Sequence, residues 1–529
     1  MLKRLQNKGV VLFLAFALPL AFACYTNHIW EDYFITLRSS RNLVEGHGLV
    51  YTPGEHLQTY TSPLGVLVPA FCYWLAGDHH ETATIWIFRL INAGLLTGAA
   101  ALSWDTLARL RIGTLARTLF FGLILADGKL ADFSTNGMET AMLVFFVMLL
   151  WSELARPEGF RLGVLALTCA GLEWTRPDAF IIGLALILPH LTFRSAPSGL
   201  LLTLKRLLQA GALAVSLYLP WFLWTWWYYG TPIPHTIVAK SQFTLPFHFS
   251  ELLLIPWHTL RGDSLLVDLF MPAYWTFGGW PALLRYFSQG LVLVAAFAWA
   301  VPSLPVVARR ASLTVFLGMF YVCSIILYPW YIPPWTMLAA LAVSLTVDTL
   351  AGFAAASRRK WLLPSLRVAI LSAIVLQVGM LAATAWEMKI QQTIIEDQVR
   401  RNIGKWLQVQ AKPADTVFLE PLGYIGYFSG LKAYDVPGLS SPEVVAVVKS
   451  GHRRVSEIIA QLRPVWLVVR PYEFADPALP ENAALRNYEK VRVWDVRPQL
   501  DSISRLPGRQ WMEYDAVFHV YHLKPAASK

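Results

Sequence analysis

Long apolar runs separated by short polar connections fill the first 387 residues. A membrane-spanning helix needs about 20 mostly apolar residues. The first run, "VVLFLAFALPLAFAC", follows a basic start. It resembles a signal peptide, but the many runs behind it favour an uncleaved first helix. Further spans are predicted at 82–104, 114–130, 139–155, 161–175, 178–193, 207–229, 286–304, 312–328, 335–352 and 366–386. The segment 61–77, "TSPLGVLVPAFCYWLAG", is short and carries two prolines, so it is predicted to lie at the interface or re-enter the membrane.

Charge tests that count. With the N-terminus inside, "RLRIGTLAR", "ARPEGFR", "FRSAPSGLLLTLKR", "VVARR" and "SRRK" all fall on the cytoplasmic side. Counting 61–77 as a full span would flip every one of them, so the positive-inside rule favours eleven spans. The first loop (25–81), the 230–285 loop and the C-terminal end then lie outside the cytoplasm. A multi-pass protein of a bacterial inner membrane is expected, with a transmembrane domain over 1–387.

The pattern changes from 388. "DTVFLE", "VWLVVR", "KVRVWDV" and "AVFHVYHL" read as strands. "SPEVVAVVKSG" and "RVSEIIAQLR" read as helices, the first with a Ser cap. An extracytoplasmic α/β domain is expected over 388–529.

Composition agrees. Hydrophobic residues make up 56% and charged residues 15%, well below the charge of a soluble chain. The net charge of +10 needs no nucleic-acid partner, since Lys and Arg hold cytoplasmic loops in place. The four cysteines lie in or beside apolar runs without a CxxC pair, which indicates neither a disulfide framework nor a zinc site.

The chemistry gathers in "WEDYFITLRSSRNLVEGHGLVYTPGE", Trp30 to Glu55. Glu31 and Asp32 follow the first span by a few residues, at the surface where a lipid headgroup arrives. A carboxylate there can act as general base on a sugar hydroxyl. The plainer reading is that both acids favour the positive start of a helix. Two adjacent acids also repel, which raises the pKa of one.

The order of residues in this loop resembles that of GT-C membrane glycosyltransferases, in particular the branch of mycobacterial-type terminal arabinofuranosyltransferases. The resemblance rests on Glu31-Asp32, Phe34-Ile35, Arg38, Asn42-Leu43, Gly46-x-Gly48, Tyr51, Pro53-Gly54-Glu55 and Tyr60-Thr61-x-Pro63-Leu64. "TRPD" (Thr175 to Asp178), "YYGTPIPHTIVAK" and "GYIGYFSGLKAYDVPGLSSPEV" add blocks downstream. Glu31, Leu57, Gln58, Gly65 and His235 depart from the branch's usual residues.

The resemblance implies inverting transfer of a sugar, such as arabinofuranose, from a polyprenyl-phosphate donor to a cell-envelope glycan or surface-protein acceptor on the outer face of the bilayer. Asp32 is the expected base, with Glu31 sharing that role or orienting the acceptor. Lys240, His235 and Arg176, in that order, are candidates for the donor phosphate. Tyr60, Thr61, Arg38, Asp178 and Tyr331 are assigned to the substrate pocket. Arg38 and Arg41 are also expected to brace the loop by pairing with Glu45, and Arg176 has Asp178 as an alternative ion-pair partner. For Lys240 the alternative is snorkelling to the interface.

No nucleotide motif is present, and no cofactor is assigned; a divalent cation is left open. "DHHE" (Asp78 to Glu81) lacks good ligand spacing and reads as a solvated loop. "YPWYIPPWT" (Tyr328 to Thr336) reads as an interfacial aromatic belt or a contact for the donor's lipid. "DVPGL" (Asp435 to Leu439) reads as a turn. The alternative function is a transporter or flippase, but charges are scarce within the spans and concentrate in one outer loop.

Overall fold

A computed structural model describes residues 4–77, 80–193, 199–243, 249–324, 328–474 and 482–525. Asp78 and His79 of "DHHE" lie outside the described residues. Each of the eleven predicted spans falls on a helix: α1 (Lys8–Thr26), α4 (Glu81–Arg109), α5 (Thr114–Leu125), α7 (Thr140–Leu154), α8 (Leu162–Thr175), α9 (Phe180–Thr192), α10 (Leu200–Tyr229), α13 (Leu283–Phe297), α14 (Val306–Ser324), α15 (Ile332–Ala356) and α16 (Leu362–Ile390). Among the described residues, seven helices are long and apolar enough to cross a membrane and five shorter apolar ones accompany them. The chain is a multi-pass membrane protein.

Between these lie α2 (Glu31–Val44), α3 (Pro63–Ala76), α6 (Gly128–Phe133), α11 (His235–Ser241) and α12 (Phe249–Arg261). The segment read as interfacial is α3, which packs on α2 and α4. The run 114–130 is not one helix. It stops at Leu125 because the Asp127 carboxylate accepts the Leu130 N–H at 2.7 Å and starts α6 instead.

Helix α16 does not stop at 388. It continues with widened turns over Gln391–Arg401 into α17 (Asn402–Gln410). A five-stranded sheet follows, with α18 (Leu422–Ser429), α19 (Pro442–Lys449) and α20 (Val455–Leu462). Its strands are β1 (Thr416–Leu419), β2 (Lys432–Asp435), β3 (Trp466–Val469), β4 (Tyr488–Asp495) and β5 (Val517–Leu523), in the order β2-β1-β3-β5-β4. Strand β1 pairs in parallel with β2 and β3, and β5 pairs antiparallel with β3 and β4. The edge strand β4 is exposed, irregular between Lys490 and Arg492, and charged, which discourages pairing with another chain. Sequence patterning missed β2, whose "KAYD" is too short and polar to read as a strand. Ser441 does stand at the start of α19, but its hydroxyl bonds to Asp435 rather than capping the helix.

The sheet region is fastened to the helices through α2. Phe34 packs its ring on Tyr424, Tyr427 and Phe428 of α18, with centroids 4.4, 5.0 and 5.3 Å away. Ile35 and Tyr51 enter the core that Val399, Val417 and Phe518 build under the sheet. Arg38 is buried, and its guanidinium donates to the carbonyls of Gly426 (2.7 Å), Gly430 (2.9 Å) and Leu431 (3.1 Å), which close the C-terminal end of α18. A cation at the negative end of a helix is favourable, and these carbonyls would otherwise be unpaired. Lys432 adds an ion pair with Glu55 at 2.6 Å.

Removing the Arg38 fork leaves several buried carbonyls unpaired, so Arg38→Met should cost about 3 kcal/mol. Arg38→Lys should recover only part of it, because an ammonium cannot span three carbonyls as a planar fork does. Thermal melts in detergent check this; equal melting temperatures for wild type and Arg38→Met would contradict it.

Candidate active site

Helix α2 starts where Trp30 is pinned. The Trp30 N–H donates to the Asn136 carbonyl at 2.8 Å, and its indole packs on Phe133, Trp330 and Tyr274. Glu31 and Asp32 therefore occupy the first turn of α2 at a fixed depth, as the dipole favours. Both are half-buried.

The Glu31 Oε1 accepts the backbone N–H of Gly423 at the start of α18. Only glycine fits there: a Cβ on Gly423 would overlap the Glu31 backbone carbonyl. Burial pushes the Glu31 carboxyl well above its ordinary value. Arg400 opposes that shift, and Asp32, Glu420 and Glu396 add to it. Burial also raises Asp32; Lys240 and a hydrogen bond from Glu31 draw it back, while Glu139 and Glu420 add to the rise. Both acids are thus raised, Glu31 the further of the two.

Lys240 lies within electrostatic range of Asp32, and a chain of cations and rings continues from it. The Lys240 ammonium sits 4.9 Å from the ring centre of Tyr328. Tyr328 lies 6.3 Å from Tyr331, and the Arg176 guanidinium stacks on Tyr331 at 3.8 Å. Arg176 bonds to Glu139 at 2.7 Å and to Asp178 at 3.0 Å, and Asp178 also accepts from the Tyr321 hydroxyl at 2.5 Å. Glu31, Asp32, Lys240, Arg176, Asp178 and Tyr331 thus form one connected wall.

The remaining sequence candidates sit elsewhere. Tyr60 is buried between Trp221 and Tyr229, and its hydroxyl bonds to that of Tyr229 at 2.9 Å. Thr61 is half-exposed just before α3, whose first turn places Gly65 against Glu139. Arg38 serves α18 and does not pair with Glu45; Arg41 does, loosely, at 3.9 Å. His235 donates its backbone N–H to Gln58 and has Asp435 as its nearest acid, and burial lowers its imidazole pKa. Asp435 accepts from the N–H groups of Gly438 (3.1 Å) and Ser440 (2.8 Å), so "DVPGL" is a turn after β2.

Three residues escaped sequence reasoning. Glu139 is buried, bonds Arg176 and lies within electrostatic range of Asp32. A lone acid at the head of an apolar run was its signal. Glu420 follows β1 directly and reaches both acids electrostatically while pairing with Arg470 at 2.6 Å. The chain leaves β1 for β2 on one side and β3 on the other, and ligands in open sheets bind beyond the carboxyl ends of strands at such a switch point. Arg400, anchored by Glu396 and Asp515, is the cation nearest Glu31; nothing in its sequence surroundings marked it. Among the described residues, no three His, Cys, Asp or Glu side chains are placed to hold a metal ion.

Comparison with known proteins adds three results. Residues 391–518 match a domain of unknown function, DUF8728. The chain is 29% identical over 228 residues to a terminal beta-(1->2)-arabinofuranosyltransferase of Mycobacterium tuberculosis, covering 40% of this chain and 35% of that protein. It is 28% identical over 240 residues to the protein of the same name from Corynebacterium glutamicum, covering 40% and 33%. The matched stretch thus spans about a third of the length of these relatives. In structure, the chain resembles ArnT from Cupriavidus metallidurans, solved bound to undecaprenyl phosphate, with a TM-score of 0.53 at 13% identity over 97% of both chains. It also resembles the oligosaccharyltransferase of Archaeoglobus fulgidus, with a TM-score of 0.55 at 10% identity, covering 92% of this chain and 72% of that one. The chain therefore has the GT-C fold, and part of its sequence is similar to the terminal arabinofuranosyltransferases.

Proposed function

We propose that the protein is an inverting membrane glycosyltransferase. It moves a sugar from a polyprenyl-phosphate donor to a glycan or surface-protein acceptor at the outer face of a bacterial inner membrane. The observation that carries this is Asp32, half-buried in the first turn of α2 beside Glu31, with Lys240 as the cation that draws its raised pKa back. The similarity to arabinofuranosyltransferases makes arabinofuranose the first sugar to test. The curated relatives and the Archaeoglobus fulgidus neighbour are named as transferases, which does not favour the transporter alternative.

The chemistry follows from the wall of the cleft. An acceptor hydroxyl gives its proton to the Asp32 carboxylate as its oxygen attacks the anomeric carbon. The bond from that carbon to the phosphate oxygen breaks, and polyprenyl phosphate leaves with the electron pair. Lys240 meets the growing charge, and Arg176 stands behind it, already partly neutralised by Glu139 and Asp178. Glu31, bonded to the Gly423 N–H, fixes the turn that carries Asp32. Glu420, half-exposed beside the acids, is placed to accept a hydrogen bond from a second acceptor hydroxyl.

Asp32→Asn should lower transfer about 100- to 10,000-fold, the usual worth of a general base, with the fold intact. Release of polyprenyl phosphate from a synthetic donor, with melting temperature as control, checks it. Full activity in a folded Asp32→Asn protein would sink the proposal. Lys240→Met should lower kcat more than Lys240→Arg, which keeps a cation.

The raised carboxyls set a pH signature. A carboxyl whose folded pKa lies above its unfolded value stabilises the protein below the unfolded value, and that stability is lost as pH rises through the folded one. Glu31→Gln keeps the acceptor for Gly423 and never ionises. Its melting temperature should therefore gain on wild type between pH 5 and pH 8. A constant difference across that range would contradict the raised pKa of Glu31.

A further inference from the structure

We propose that the protein binds a phosphate-bearing anionic lipid, such as phosphatidylglycerol, in a cavity at the end of the helix bundle opposite Asp32. This site is separate from the cleft above and depends only on the chain's lying in a membrane.

The cavity holds about 600 Å³, within the roughly 300–1,000 Å³ of small-molecule sites. It opens where α7 ends, α8 begins, α9 ends and α10 and α14 begin. The acid cleft uses the other ends of the same helices: Glu139 precedes α7, Arg176 follows α8 and Asp178 precedes α9. Helix α7 has 15 residues and separates the two sites by roughly 22 Å at about 1.5 Å per residue. The positive-inside reading places this end in the cytoplasmic leaflet, where anionic headgroups bind basic pockets between helices.

Its lining is apolar at the floor, with Trp151, Leu154 and Leu186, and basic at the rim, with Arg156, Arg206 and Arg310. Glu158 is the one acid among the described lining residues; it meets Arg156 only at 3.8 Å and is mostly exposed. The arginines are held in place. Arg206 donates to the Phe160 carbonyl at 2.7 Å and lies over its ring, and Arg310 donates to the Phe193 carbonyl at 2.7 Å. The bond from Arg206 takes only part of that guanidinium's five donors. The Arg156 Nε is buried without a hydrogen-bond partner. Helices of 30 and 19 residues, α10 and α14, start at the rim, and their positive ends favour an anion.

The occupant carries tails. Leu202, one turn before Arg206 on the same face of α10, is exposed and lines the cavity. With Trp151, Leu154 and Leu186 it gives the cavity an apolar part beside its basic rim. A lipid phosphate with its acyl chains fits rim and apolar part together, whereas inorganic phosphate satisfies the rim alone.

The test uses the purified full chain, delipidated in neutral detergent and given phosphatidylglycerol, phosphatidylcholine or inorganic phosphate. Melting temperature and native mass spectrometry are read in each case. Phosphatidylglycerol should bind and raise the melting temperature by at least about 3 °C through mass action, while the other two should not. The double change Arg156→Gln with Arg206→Gln should abolish the shift. If that variant does not fold, Arg156→Gln alone, in a loop, should at least halve it. An equal shift with phosphatidylcholine or with inorganic phosphate overturns the proposal, as does a shift that survives the arginine changes or the absence of any shift.

Discussion

The contact between the first turn of α2 and the start of α18 is the constraint on which the acid cleft rests. It joins a loop near the N-terminus to a helix almost four hundred residues later, through a hydrogen bond from the Gly423 N–H to Glu31. That approach requires a residue without a Cβ at 423. Everything beside it reinforces the same docking: Phe34 among three aromatic rings, Arg38 on three carbonyls, Lys432 on Glu55. A shift of α18 would move Glu31, and with it the charge environment of Asp32. The sheet region is thus part of the cleft's wall, and it brings Glu420 and Arg400 to the acids.

Electrostatic balance explains the arrangement of charge. Burying carboxylates in a partly dry cleft is costly unless cations or shared protons offset it. Here Glu31, Asp32, Glu139 and Glu420 meet Lys240, Arg176, Arg400 and Arg470 within one region. Arg176 and Arg470 are saturated by acids on the protein, so they hold structure. Lys240, near the ring of Tyr328, is the cation that lowers the raised pKa of Asp32.

Much of this was legible in the sequence, and the limit was physical. Apolar runs located every long helix, because burial in lipid demands a continuous stretch and nothing else in the chain imitates it. They failed at 114–130, where a single Asp127 side chain restarts the helix inside an apolar run. The paired acids, Lys240 and Arg176 stood out because charges next to spans are scarce. Arg38 misled: its neighbours in sequence suggested Glu45, but its partners are the carbonyls of Gly426, Gly430 and Leu431, which no local pattern reveals. Glu420 and Arg400 belong to the cleft only through the docking of α18, so their roles existed in no window of the sequence. Tyr60 shows the converse, a residue matching a family motif whose ring serves packing against Trp221 and Tyr229.

The same geometry separates two adjacent acids that the sequence left equivalent. A general base must present a lone pair to the incoming hydroxyl and must lie where the leaving group's countercharge is at hand. Glu31 has one oxygen fixed by Gly423, and burial raises its pKa well above the ordinary value. Its strongest cation, Arg400, is committed to Glu396 and Asp515 on the side of the sheet. Asp32 instead has Lys240 as the cation that draws its raised pKa back. A raised pKa makes a carboxylate a better proton acceptor. On the proposed mechanism, the order Glu-Asp at the start of α2 gives anchoring to the residue bonded to α18 and leaves proton transfer to its neighbour.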